Sequence, residues 1–139
     1  MFQKILLPVD LTDRHEPALQ IVAKLAAPGA EVALLHVIEL IAGLAVEEEK
    51  DFYRRLEKTA QRHIARLRAS IESRGLACRP EVRLGNRAAE VVRFASEAGS
   101  ELIVLTAPSP DPDNPMVGWG SLSFKVGYLS PCPVVLVKG

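Results

Sequence analysis

Short apolar runs rich in β-branched residues punctuate this chain, and segments with helical periodicity separate them. Lys4-Ile5-Leu6-Leu7-Pro8-Val9 reads as a first strand and Glu31 to Ile38 as a second. Cys78 to Arg83 is more polar and alternates, which suits a sheet edge. Glu101 to Leu105 and Val134 to Val137 complete the set. Strands that are apolar without interruption are buried on both faces, the habit of parallel sheets.

The intervening segments carry helix signals. Thr12 is the expected N-cap of a first helix that turns Ala18, Leu19, Val22, Ala23 and Leu25 inward. A long second helix is expected from about Val46 to Arg74, with Phe52, Leu56, Ala60, Ile64, Leu67 and Ile71 on one face. Its other face holds charge of both signs and reads as solvated. Arg87 to Ala98 and Leu122 to Leu129 give two more helices. Gly29, Gly75 and Gly99 each precede a strand, where left-handed C-caps are expected. The βαβαβαβαβ alternation predicts one α/β domain over residues 1–139, with a parallel sheet covered on both faces.

Composition narrows the functional classes. Apolar residues make up 48% and charged residues 24%, as in an ordinary globular protein rather than a disordered one. Seventeen basic residues balance seventeen acidic ones, which removes the electrostatic footprint of a dedicated nucleic-acid binder. No apolar run reaches the roughly 18–20 residues that span a bilayer, and the opening apolar run meets Asp10 too soon for a signal peptide. The expectation is therefore a cytoplasmic protein with no nucleic-acid or membrane partner. Cys78 and Cys132 are too few for a disulfide scaffold or a metal cluster.

In open α/β sheets, ligands bind beyond the carboxyl ends of the strands. Asp10 follows the first strand and has two readings, a ribose or metal ligand or a turn residue that helps Thr12 start the helix. Gly118-Trp119-Gly120-Ser121 opens the fourth helix, either as a phosphate-receiving N-terminus or as a flexible entry. Trp119 either stacks on a base or covers apolar surface. His36 reads as a hydrogen-bonded core group, while His15 and His63 lack metal-ligand partners at the right spacing. No nucleophile elbow, Gly-Lys-Thr phosphate loop or Cys-x-x-Cys pair is present, so no catalytic or metal residue is assigned. Residues 106–120 hold Pro108, Pro110, Pro112 and Pro115 and are expected to form a long loop. Leu40 to Val46 either begins the second helix or forms an apolar patch near the pocket.

Several of these segments together resemble the universal stress protein (UspA-like) family. Lys4-Ile-Leu-Leu-Pro-Val-Asp10 resembles its opening, Leu34-Leu-His-Val37 its second strand and Glu101-Leu-Ile-Val104 its fourth. Gly120-Ser121 followed by Ser130-Pro-Cys-Pro-Val134 resembles its ending, in matching register. The resemblance covers essentially the whole chain. It implies a doubly wound five-stranded parallel sheet of order 3-2-1-4-5, the adenine nucleotide alpha-hydrolase-like fold, and a stress-response homodimer. That order puts Cys78 and Cys132 near opposite edges, roughly 19 Å apart against the ~7 Å limit for a disulfide.

Nucleotide-binding members of the family carry Gly-x-x-Gly after the fourth strand, then nine residues, then Gly-Ser or Gly-Thr. Here the first two glycines fall on Thr106 and Ser109 by strand register, or on Ala107 and Pro110 counting back from Gly120. The implied site is thus degenerate and runs through Pro8, Val9, Asp10, Val37, Thr106, Gly120, Ser121 and Leu122, with Asp10 toward ribose and Val37 toward adenine. No lysine or arginine lies between Thr106 and Phe124. The expectation is a non-catalytic regulatory protein that binds ATP weakly or not at all, with AMP or another small anion the residual ligand. The alternative is an ATP- or AMP-binding switch. Val134, Val135, Leu136 and Val137 are the expected dimer edge, and a further protein partner is left open. A phospho-accepting receiver domain does not fit, because strand three ends in Leu84-Gly85-Asn86 without an acceptor aspartate. Related ATP-cleaving enzymes place a Ser-Gly-Gly loop where this chain has Asp10-Leu11-Thr12.

Overall fold

A computed structural model describes residues 1–40, 47, 49–107, 113 and 122–138. Nine elements alternate along the chain: β1 (Phe2–Pro8), α1 (Glu16–Leu25), β2 (Ala26–Glu39), α2 (Lys50–Glu72), β3 (Ala77–Gly85), α3 (Arg87–Ala98), β4 (Leu102–Ala107), α4 (Leu122–Leu129) and β5 (Val134–Lys138). The five strands form one sheet in the order β3-β2-β1-β4-β5, and every neighbouring pair is parallel. Apolar sequence decides which strands lie inside the sheet. Ile5, Leu6, Leu7, Val32, Leu34, Leu35 and Leu102 to Leu105 are almost wholly buried and occupy the three central strands. The polar β3 and the short β5 take the edges.

Alternation along the central strands builds two cores. Ile5, Leu7, Val32, Leu34 and Val104 meet Leu19 and Val22 of α1 and Ile64 and Ile71 of α2. Leu6, Ala33, Leu35, Ile103 and Leu105 meet Val91 and Phe94 of α3 and Val126 of α4. Cys78 packs on the first core and Cys132 on the second, and both thiols are free. The sheet itself separates them. Among the described residues, no helix is long and apolar enough to cross a membrane.

Local sequence effects shift several boundaries. Helix α2 begins at Lys50 rather than near Val46, so Glu47 and Glu49 precede it. Thr12 does not cap α1. The helix starts after His15, whose side chain makes no capping bond, and Glu16 and Pro17 open the first turn. Of the three glycines, Gly99 alone sits at a helix C-cap, at φ 66°. Gly29, at φ 72°, lies inside β2, where the pairing with β1 slips between Phe2 and Lys4. The apolar stretch 41–46, prolines 108, 110, 112 and 115, and Gly118 to Ser121 with Trp119 lie outside the described residues.

Candidate functional site

The carboxyl ends of β1, β2 and β4 open into a cavity of about 200 Å³. Pro8, Val9, Asp10, Val37, Thr106 and Leu122 all stand in its wall. Gly120 and Ser121 lie outside the described residues. Much of the apolar wall is Val9, Leu35, Val37, Val91 and Leu105, which themselves belong to the two cores, so burial fixes these positions.

Asp10 is the polar hub. Its Oδ1 accepts from the Thr12 amide at 3.0 Å, from the Thr12 hydroxyl and from His15 Nε2 at 2.8 Å. Its Oδ2 accepts from the Arg14 guanidinium. The Thr12 contacts form a turn in which an aspartate side chain holds the backbone two residues on. That is the turn reading of Asp10, with the bond directed to Thr12 rather than through it to a helix. Burial by itself pushes the Asp10 carboxyl up, but the bonds from Thr12, His15 and Arg14 outweigh it and hold the group well below the usual carboxylate range. Asp10 is ionised at any physiological pH.

His15 is 3% exposed and bridges two strands' ends. Because Asp10 is ionised, Nε2 carries a proton and donates to Oδ1. The Asp10 amide also points at Nε2, at 3.2 Å, but a protonated ring nitrogen has no lone pair to offer it. On the other side of the ring, Nδ1 lies 3.0 Å from Thr106 Oγ1. In the neutral imidazole it accepts the hydroxyl proton of Thr106. His36 is the second buried histidine, and its Nδ1 donates to the Val9 carbonyl at 2.9 Å. Burial pushes its pKa down and the nearby Arg87 charge adds to this, against the bond to Val9. His63 of α2 donates to the Thr12 carbonyl at 3.1 Å, so two helices and β1 converge on the same turn.

Three side chains of this site carry no signal in the sequence. His15 stands on no motif, yet it is the most buried polar group there. Arg14 and Arg87 bring two guanidinium groups to the cavity wall from α1's entry and from the first residue of α3. Arg87 reaches Glu39 only at 3.8 Å, with both side chains exposed. Counting charge along residues 106–124 alone overlooks both arginines, because parallel crossovers bring them from elsewhere in the chain. Among the described residues, no three His, Cys, Asp or Glu side chains are grouped to hold a metal.

Residues 1–138 match the model of the universal stress protein family. The chain belongs to this family. Universal stress protein YxiE of Bacillus subtilis (strain 168) is 27% identical over 149 residues, covering 99% of this chain and all of that protein. Among solved structures, hypothetical protein MJ0577 superposes with a TM-score of 0.83 at 29% identity, over 100% of this chain and 97% of the other. A family protein from Arabidopsis thaliana, solved with AMP bound, superposes at 0.71 with 15% identity, over 98% and 91% of the two chains. That last likeness is one of fold. The universal stress protein fold explains the strand order, and with it why the cavity lies where the carboxyl ends of β1 and β4 part.

Proposed function

We propose that this universal stress protein is a non-catalytic regulatory homodimer whose degenerate pocket takes a nucleoside monophosphate at most. The observation that carries this reading is the side chain of Thr106. It occupies a β-strand position where nucleotide-binding relatives begin a glycine cradle, and its hydroxyl is committed to His15. A triphosphate needs several backbone N–H groups at close range, which glycine permits and a β-branched residue in a strand does not. Pro108 and Pro110 remove two further N–H donors. What remains is a small cavity with Arg14 and Arg87 in its wall, enough for one phosphate or another small anion.

The homodimer reading rests on β5. It is a sheet edge with unpaired backbone groups on one side, and its own Leu136 is 48% exposed. Tyr128 and Leu129 on α4 extend the exposed apolar surface. A two-fold axis pairs such an edge antiparallel with its own copy and closes the assembly. A further protein partner would meet the dimer rather than the pocket. The two free thiols suit the reducing cytoplasm.

The alternative of a nucleotide-operated switch draws on relatives crystallised with AMP, dAMP and cAMP. One experiment tests the non-catalytic reading against ATP binding and turnover. Protein purified without added nucleotide is extracted and its small molecules weighed by mass spectrometry, and ATP hydrolysis is followed on the same sample. Retained ATP, or turnover that scales with protein, overturns the non-catalytic reading. Retained AMP alone, or nothing, supports it.

A further inference from the structure

Three side chains of the cavity wall, Asp10, His15 and Thr106, stand in one hydrogen-bonded line. Asp10 Oδ1 holds the proton of His15 on Nε2, at 2.8 Å, and leaves Nδ1 as a base 3.0 Å from the Thr106 hydroxyl. A hydroxyl within hydrogen-bond reach of a base that a third group orients is the arrangement of an activated nucleophile, and acyl transfer is its usual chemistry. Burial holds the ring in that orientation, since His15 is 3% exposed. The same wall carries the guanidinium groups of Arg14 and Arg87, whose planar donors suit the oxygens of a phosphate.

We propose that the Thr106 hydroxyl accepts the acyl group of a small acyl phosphate, the mixed anhydride of a carboxylic acid and phosphoric acid. This rests on the small-anion reading of the pocket given above. Such a donor offers a neutral carbonyl carbon to the hydroxyl and a phosphate to the two guanidinium groups. Thr106 Oγ1 attacks the carbonyl carbon, and its proton passes to Nδ1 of His15. The ionised Asp10 stabilises the imidazolium that forms. The bond from the carbonyl carbon to the bridging oxygen breaks, and its electron pair leaves with the phosphate. The departing phosphate takes the proton from Nδ1, so His15 returns to its neutral form and Thr106 ends as an ester. Each chain takes up one acyl group, and the reaction marks the protein without turning over, as suits a non-catalytic regulator.

The test incubates the full chain with acetyl phosphate and reads residue 106 by peptide mass spectrometry, before and after hydroxylamine. Hydroxylamine cleaves oxygen esters and spares the amides that the reagent forms on lysines. The expected result is one hydroxylamine-labile acetyl group at residue 106, kept in Thr106→Ser and absent in Thr106→Val. Arg87, with a side chain 43% exposed, is the guanidinium that can be removed without disturbing the core. Arg87→Ala is expected to slow labelling by acetyl phosphate about tenfold more than labelling by p-nitrophenyl acetate, which carries no phosphate; that is the scale of one hydrogen bond to a charged group. An unlabelled residue 106, a phosphoryl group there instead, or equal slowing of both donors overturns the inference. Calorimetry with inorganic phosphate on the natural chain separates the failures. Phosphate binding without acetylation leaves the small-anion pocket standing, whereas no binding at millimolar phosphate removes that reading and this inference with it.

Discussion

Nδ1 of His15 lies 3.0 Å from Oγ1 of Thr106, a residue 91 positions further along the chain. The contact ties the entry of α1 to the last turn of β4 and passes through a ring that Asp10 holds from its other side. It is the one side-chain link described between the β1 and β4 ends of the cavity. The pairing of these two strands is itself short, with Ile5 opposite Leu102 and Leu6 opposite Ile103. Past that register the ladders hold β1 to β2 and β4 to β5, and the His15–Thr106 contact spans the gap between the β1 and β4 ends.

Removing the hydroxyl tests this link. Thr106→Val keeps the branched shape and leaves a buried ring nitrogen without its partner. Leaving a buried polar group unsatisfied costs about 1–3 kcal/mol. The expected result is a loss of that size in urea unfolding at neutral pH, with Thr106→Ser losing less because it keeps the hydroxyl. Equal stability of Thr106→Val and the natural chain would show that Nδ1 is satisfied in another way.

The five strands and a sheet covered on both faces are legible in the residue pattern, and the reason is burial, whereas the strand order comes from the family resemblance. Leu34-Leu35 and Ile103-Val104 are apolar on consecutive residues, which only a two-sided strand tolerates. Helices α3 and α4 begin and end where their sequences indicate, because Asn86 caps one and Pro131 and Pro133 follow the other. The site was less legible. Pro8, Val9 and Asp10 could be placed from the strand they follow, but His15, Arg14 and Arg87 could not. Their roles come from two connections, β1 to α1 and β3 to α3, that converge on one end of the sheet, and no spacing along the chain encodes that convergence. Thr12 is not the cap for a related reason: Asp10 two residues earlier takes both its amide and its hydroxyl, so the Thr12 oxygen faces Asp10 and the helix starts only after His15.

Cysteine reactivity gives a second test. Burial pushes the Cys78 thiol up to about 11, with a smaller opposing effect from Arg68. At pH 8 only about one molecule in a thousand then carries the thiolate, which is the reactive form. Iodoacetamide at pH 8 is expected to leave Cys78 largely unmodified in the folded protein and to label it fully in urea. Peptide mass spectrometry reads both. Rapid labelling of Cys78 in the folded chain would mean that it is not packed against the core at β3.

The edge strand gives a third. Leu136→Lys places a charge on an exposed position of β5, so the monomer loses little while edge-to-edge pairing is opposed by two lysines brought together. Light scattering at tens of micromolar is expected to report a dimer for the natural chain and a monomer for the variant, with unchanged circular dichroism. A natural chain that is monomeric, or a variant that still dimerises, counts against pairing through β5.

The last test concerns acid. The folded pKa of His36 lies below its ordinary 6.5, first because the ring is buried and then because of the Arg87 charge, while the Val9 bond and Asp10 act the other way. Below pH 6.5 the unfolded chain therefore binds a proton at this residue more readily than the folded one. Stability rises with pH wherever the unfolded state holds more protons, so the contribution of His36 is complete above about pH 6.5 and is lost as pH falls through the folded value. Asp10 obeys the same sign in a more acidic window, since its folded pKa is also depressed, and so it adds to the loss only below the ordinary carboxylate range. Urea unfolding at pH 8, 7, 6 and 5 should show stability level between the first two and falling between the last two. His36→Asn retains an N–H donor for the Val9 carbonyl at the place of Nδ1 and removes the titration. Its profile between pH 7 and 5 should be flatter than that of the natural chain. Parallel profiles would assign the acid sensitivity to other groups and show that burial of His36 does not set it.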